Sequence, residues 1–229
     1  SQEAINILKI GGNAVDAAIA ASAVLSVIEP GSTGIGGDCF AIINMNNKKP
    51  ISINGSGINP QKANLNYFIK NKINKIGLLS PHSVTIPGAV HAWYAMHKKF
   101  GKLDFAQLFK TAEYYAREGF PVHEIEAYHW KKNEDKLKKN QITRNEFLIN
   151  NKAPKFGTKF KNYKLANTLR NIGKKGSKGF YQGDIANDMV KSLNNLGGTH
   201  THEDFYNQKT IFSDTLISDY KDFVIHQMS

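Results

Sequence analysis

Residues 13 to 43 constrain the fold most, because a helix start, an alanine-rich apolar run, a glycine loop and an apolar strand follow one another without a break. Asn13 is a ready N-cap, Asp16 occupies the third helical position where a carboxylate suits the positive helix end, and Pro30 stops the helix near Ile28. Ala14, Ala17, Ala18, Ala20, Ala21 and Ala23 are expected to give a face thin enough for close packing. Gly31-Ser32-Thr33-Gly34-Ile35-Gly36-Gly37-Asp38 follows as a flexible loop. Cys39-Phe40-Ala41-Ile42-Ile43 is then a strand whose continuous apolar run predicts burial on both faces. Upstream, Gln2 to Ile10 predicts a shorter helix ended by Gly11-Gly12.

Downstream the pattern alternates between sheet and helix. Asn46-Asn47-Lys48-Lys49 supply turn residues and Ile51-Ser52-Ile53-Asn54 alternate, so 39–55 is predicted as a β-hairpin that leaves through Gly55-Ser56-Gly57. Ser83-Val84-Thr85-Ile86 predicts a short strand closed by Pro87-Gly88. Helices are expected at 89–99, at 104–118, at 123–139 with a mostly solvated surface, and at 163–173 and 184–196. Residues 211–228 predict two strands joined at Asp219-Tyr220-Lys221. This order favours an α+β fold with an antiparallel sheet over a doubly wound one. With 229 residues, 41% of them apolar, and 7 prolines, the chain can bury one sizeable core or two small ones.

Composition excludes several functions. The net charge is +11, but only Arg117, Arg144 and Arg170 are arginine, so the excess is lysine scattered between apolar positions. That is how a solvated surface reads; base and phosphate recognition draws on arginine forks, and no nucleic-acid partner is expected. Cys39 is the single cysteine, which excludes an intrachain disulfide and a thiolate metal cluster and leaves the redox compartment open. The longest apolar stretch, Ala17 to Ile28, is too short for a membrane span. Ser1 leads directly into apolar positions at helical spacing, and 222–228 reads as a strand running to Ser229, so a segment of a longer protein is expected, a single domain over 1–229 truncated at both ends.

Each candidate motif has a plainer structural reading. Gly34-x-Gly36-Gly37 follows a helix and opens a strand, the reverse of a nucleotide-binding loop, so its glycines are expected to serve close packing. His200-Thr201-His202-Glu203-Asp204 holds metal-ligand residue types, but Thr201 with Asp204 three places on resembles the start of a helix, and no metal is expected. Cys39 lies in an apolar strand without a base and reads as a small core residue. Asn54-Gly55-Ser56 matches a glycosylation sequon, yet also makes a sharp strand exit. His82, His91, His97, His123 and His129 have no spacing that demands a metal. The residues alone show no catalytic centre and call for no cofactor.

Taken in order, Ile7-Leu8-x-x-Gly11-Gly12-Asn13-Ala14-Val15-Asp16-Ala17-Ala18-Ile19-Ala20 and Gly34-Ile35-Gly36-Gly37-Asp38-Cys39-Phe40 closely resemble the γ-glutamyltranspeptidase family. So do Ser83-Val84-Thr85-Ile86-Pro87-Gly88-Ala89-Val90, Ala116-Arg117-Glu118-Gly119-Phe120-Pro121-Val122, Leu165-Ala166-Asn167-Thr168-Leu169, Gly179-Phe180-Tyr181-Gln182-Gly183 and the run from Gly197-Gly198 to Glu203-Asp204. The resemblance implies an N-terminal-nucleophile hydrolase, an αββα sandwich of which this chain is the first part of the large subunit. Such a precursor cleaves itself, and the nucleophile is the new N-terminal Thr of the small subunit, whose own amine serves as base. The reaction is acyl transfer from a γ-glutamyl amide to water or to an amine, with backbone amides holding the oxyanion. The partners implied are that small-molecule amide substrate and the C-terminal remainder of the precursor.

By the same resemblance no catalytic residue lies in this chain, and Ser56 and Gly57 are the candidate substrate-binding residues. Ser56 stands where well-known transpeptidases carry an Arg that binds the substrate's α-carboxylate. Many relatives read Gly-Ser-Gly-Arg-Ala-Pro here, whereas this chain reads Gly55-Ser56-Gly57-Ile58-Asn59-Pro60. Without the guanidinium fork, an acylase or amidohydrolase acting on another amide is an alternative. A non-catalytic homologue acting as a binding protein and a basic surface-binding module are two more.

Overall fold

The computed structural model describes residues 1–46 and 48–229. Asn47, one of the four expected turn residues, lies outside the described residues. In chain order the helices are α1 (Gln2–Lys9), α2 (Ala14–Ile28), α3 (Leu65–Lys70), α4 (Ala89–Phe100), α5 (Lys110–Glu118), α6 (Glu124–Lys132), α7 (Glu134–Lys138), α8 (Gln141–Phe147), α9 (Tyr163–Lys175), α10 (Lys178–Tyr181), α11 (Asp184–Asn195) and α12 (His202–Tyr206). The strands are β1 (Cys39–Ile43), β2 (Ile51–Gly55), β3 (Phe120–Pro121), β4 (Lys159–Phe160), β5 (Ile211–Asp214), β6 (Leu216–Tyr220) and β7 (Phe223–Gln227). They form two compact units: Ser1–Gly34 with Lys102–Gly173, and Ile35–Gly101 with Lys174–Ser229.

The first unit is built on α2. Asn13 caps it, its Oδ1 accepting the Val15 and Asp16 N–H groups at 3.0 Å each, while Asp16 Oδ2 accepts the Asn13 N–H at 3.1 Å. Asp16 is fully buried, and the same carboxylate accepts the Lys102 and Leu103 N–H groups at 3.1 and 3.2 Å. A buried charge is tolerated here because several donors at two places in the chain converge on it. Ile19, Ala20, Ala23 and Val27 are buried, and α2 packs on α1, α5 and the 3₁₀ turn Phe105–Phe109; burying Ile19 alone is worth about 2 kcal/mol. The alanine face is narrower than its spacing implies: Ala17, Ala20 and Ala23 are buried, whereas Ala14 and Ala18 are exposed.

Two expected helices of this unit are interrupted. The segment expected as one helix over 104–118 opens as a 3₁₀ turn, with Asp104 Oδ1 accepting the Ala106 N–H at 2.9 Å, before α5 begins. The segment expected over 123–139 divides at Asn133 (φ −97°, ψ 4°), whose Nδ2 donates to the His129 carbonyl. It is also less solvated than expected, since Glu126, Trp130 and Glu134 are buried. Glu134 accepts the Ala153 N–H and both Lys138 and Lys131 ammonium groups, which hold its carboxyl down at about 2.

In the second unit β1, β2 and β5 form an antiparallel sheet in that order, with Cys39 opposite Gly55 and Ile43 opposite Ile51. The α+β expectation and the 39–55 hairpin are both found. Ala89, Ala92, Trp93 and Met96 of α4 are buried on the hairpin side, and Ile53 at the centre of β2 is fully buried. Burial of β1 on both faces is not found: β1 is an edge strand, and Phe40 and Ile42 on its second face are exposed. Nor is Ser83–Ile86 a strand. Pro81–Ser83 is a 3₁₀ turn, and the following polar groups bond singly to distant partners, Val84 O to His200 Nε2 and Ile86 N–H to the Ile58 carbonyl, so no ladder forms. Residues 211–227 give three strands where two were expected, because Thr215 interrupts the first: β5 joins β2, while β6 pairs with β7.

Candidate functional site

The register of the hairpin decides where Ser56 and Gly57 lie. With Cys39 opposite Gly55, the residue that precedes β1 is brought to the exit of β2, and Asp38 Oδ1 accepts the Gly57 N–H at 2.8 Å. Asn54 Oδ1 accepts the Ser56 N–H at 3.0 Å and the Ser56 hydroxyl at 2.7 Å. From the other direction Gln208 clamps the turn: its Nε2 donates to the Ser56 carbonyl and its Oε1 accepts the Ile58 N–H, each at 3.0 Å. A Cβ on Gly57 would stand 1.9 Å from the Ile86 carbonyl oxygen, and one on Gly88 2.1 Å from that of Gly55. Backbone therefore packs on backbone here, which only glycine permits. The glycine loop belongs to the same construction, because the Gly37 carbonyl accepts the Gly88 and Ala89 N–H groups at 2.9 Å each, at the start of α4.

These bonds fix the chemistry that Ser56 can offer. Its hydroxyl hydrogen is committed to Asn54, so toward a ligand the half-buried oxygen is an acceptor. Asp38, exposed beside it, adds a second acceptor. The turn thus accepts hydrogen bonds where an arginine would donate them. Asp38, Asn54 and Gln208 organise it; sequence reading gave Asn54 its place in a sharp strand exit but assigned Asp38 and Gln208 no role, the one local signal for Asp38 being the Gly-Asp pair before β1.

Several titratable groups of this unit have structural partners. Burial pushes the Cys39 thiol up, with a hydrogen bond to Trp93 only partly opposing it, so the sulfur favours the protonated form; the residue is half-buried rather than the core residue expected. Tyr181 is pushed up by burial; its hydroxyl donates to the Pro87 carbonyl at 2.7 Å and accepts the His91 N–H at 3.0 Å, pinning the segment before α4. Burial also lowers His91, whose Nδ1 meets Thr210 Oγ1 at 2.8 Å, and lowers His200 against the pull of the Val84 carbonyl and Asp204. The expected capping box opens α12, with Thr201 Oγ1 accepting the Asp204 N–H and Asp204 Oδ2 accepting the Thr201 N–H. Burial would raise Asp204, but these bonds and one from the Gln61 N–H outweigh it and hold the carboxylate low. Among the described residues no group of three or more His, Cys, Asp or Glu converges as a metal site would require. No helix among them is long and apolar enough to cross a membrane.

The gamma-glutamyltranspeptidase family matches the whole of residues 1–229. The chain belongs to that family. It is 36% identical over 229 residues to the glutathione hydrolase-like YwrD proenzyme of Bacillus subtilis, a match that takes in 99% of this chain and 43% of that protein. Among solved structures it superposes on Helicobacter pylori gamma-glutamyltranspeptidase with a TM-score of 0.95 at 30% identity, covering 100% of this chain and 67% of that one. The cephalosporin acylase from Bacillus halodurans matches with a TM-score of 0.92 at 32% identity, over 98% of this chain and 43% of that one. The chain thus spans less than half the length of the curated relatives it matches. Family membership places the helix–glycine loop–hairpin run and the Ser56–Gly57 turn in a fold shared by transpeptidases and an acylase.

Proposed function

We propose that residues 1–229 are one domain segment, the first part of the large subunit, of a self-processing αββα acyltransferase or amidohydrolase, and that the Ser56–Gly57 turn lines its substrate pocket. The nucleophile is a Thr in the remainder of the precursor, released as a new N-terminus whose amine acts as base. Its hydroxyl attacks the substrate amide, the amine leaves, and the acyl-enzyme passes to water or to an acceptor amine. Within this chain the turn's work is to hold the acyl part of the substrate. The β6–β7 hairpin supports a covering partner: Phe223 is 69% and Ile217 63% exposed, an apolar surface that the remainder of the precursor would bury.

The observation that carries the substrate reading is the commitment of the Ser56 hydroxyl to Asn54, which leaves an acceptor where transpeptidases place a cation. An acceptor pair of Ser56 and Asp38 repels an α-carboxylate and favours a group bearing N–H. A non-γ-glutamyl amide is therefore the favoured substrate, as in an acylase, with glutathione-type γ-glutamyl amides the second reading. The test is to compare kcat/KM of the full-length protein for γ-glutamyl-p-nitroanilide and for anilides of acyl groups lacking the α-carboxylate. Preference for the latter supports the reading, and a clear preference for the γ-glutamyl anilide overturns it. A full-length protein that forms no acyl-enzyme with either would be the non-catalytic homologue.

A further inference from the structure

Within the first unit a cavity of about 210 Å³ opens between the end of α2 and helices α6, α7 and α8. Glu126, His129, Trp130, Lys136, Leu137 and Phe147 line it. Glu126 is 2% exposed, and its Oε1 accepts the Gly31 N–H at 2.9 Å. Its backbone N–H donates to His123 Nδ1, but among the described residues its carboxylate has no second hydrogen bond and no ion pair. Its second oxygen is left to the cavity without a protein donor, and a cation there would complete a largely buried carboxylate. Glu134, eight residues on, shows the completed case, with two lysines and a backbone N–H on its oxygens.

The rest of the lining says what the cation would be attached to. Trp130 and Phe147, with ring centroids 6.4 Å apart, and Leu137 offer an apolar wall. Lys136 and His129 are exposed residues of the same cavity and bring donors for an anion. A bare amine would satisfy Glu126 but meet an unbalanced cationic rim, whereas a zwitterion uses both charges. The volume lies below the range of drug-sized ligand pockets, which suits one residue rather than a peptide. We propose that this cavity binds a free α-amino acid with an apolar side chain, its ammonium on Glu126, its carboxylate on Lys136 and His129, and its side chain against Trp130, Leu137 and Phe147. The cavity shares no residue with the Ser56–Gly57 turn, and the proposal does not rest on the acyl-transfer reading.

The test uses the full-length protein labelled with 5-fluorotryptophan, the Trp130 fluorine resonance being assigned by its loss in Trp130→Phe. L-Phenylalanine is expected to move that resonance to saturation. Phenylethylammonium and phenylpropionate, each lacking one charge, are expected to bind about tenfold more weakly. Lys136→Ala changes an exposed side chain and is expected to weaken binding about tenfold; Glu126→Gln keeps an acceptor for the Gly31 N–H and is expected to weaken it further. No movement with L-phenylalanine up to about 10 mM, equal binding of either single-charge analogue, or unchanged affinity in Lys136→Ala overturns the proposal.

Discussion

The Ser56–Gly57 turn and the β6–β7 hairpin sit in the same unit and are built on opposite terms. At the turn, Asp38, Asn54 and Gln208 occupy every polar contact described, and glycine is required to let two backbones meet. In the hairpin the ladder is regular from Leu216 paired with Gln227 to Tyr220 paired with Phe223, yet Leu216, Ile217, Phe223 and Val224 are all more than half exposed. A two-stranded ribbon with uncovered apolar faces is marginal in water. The difference separates what the described residues complete among themselves from what they leave uncovered: the first is a turn with its polar groups satisfied, the second an exposed apolar surface.

If that contrast is right, substitutions should act very unequally. Gly57→Ala has the largest expected effect, a loss of about 3 kcal/mol read from the urea midpoint of the full-length protein, because its Cβ meets the Ile86 carbonyl. A loss below about 1 kcal/mol would show that the turn relaxes freely. Ser56→Arg should next raise kcat/KM for a γ-glutamyl anilide about tenfold by restoring a donor for the α-carboxylate. No change would detach Ser56 from the substrate pocket. Asp38→Ala, removing one bond at an exposed site, should cost about 1 kcal/mol. At the small end, Phe223→Ser in residues 1–229 expressed alone should change stability by less than about 0.5 kcal/mol. A cost of about 2 kcal/mol there would mean that the hairpin is already covered.

Acid should probe the same unit. Burial holds His91 and His200 below the ordinary 6.5, so the unfolded chain takes up protons that the folded chain refuses. Their stabilising effect is complete above 6.5 and is lost as pH falls from 6.5 through the lower folded values. The urea midpoint is expected to fall between about pH 7 and about pH 5, and His200→Gln, which retains a donor for the Val84 carbonyl, to remove part of that fall. An unaltered pH profile in His200→Gln would deny His200 this part.

Legibility followed the range of the interactions. The Asn13 and Thr201 caps were readable because donor and acceptor lie three residues apart, and the 39–55 hairpin because alternation and turn residues are local. Ser83–Ile86 misled because its β-branched residues bond to Ile58 and His200, far away in sequence. Thr215 could not be read as a break, since what marks it is burial and a 2.7 Å contact with His226 Nδ1 across the chain reversal. At the candidate site, Ser56 and Gly57 were named through resemblance alone, while Gln208, which clamps them from 152 residues away, left no local trace. The Glu126 cavity was equally silent, because it joins the end of α2 to helices nearly a hundred residues on.

The central claim is that this chain is the large-subunit part of a precursor that cuts itself, and intact mass with N-terminal sequencing of the purified full-length protein tests it most directly. Two chains, the smaller beginning with Thr and the larger containing residues 1–229, are the predicted result. One uncut chain, or a smaller chain beginning with another residue, would contradict the account.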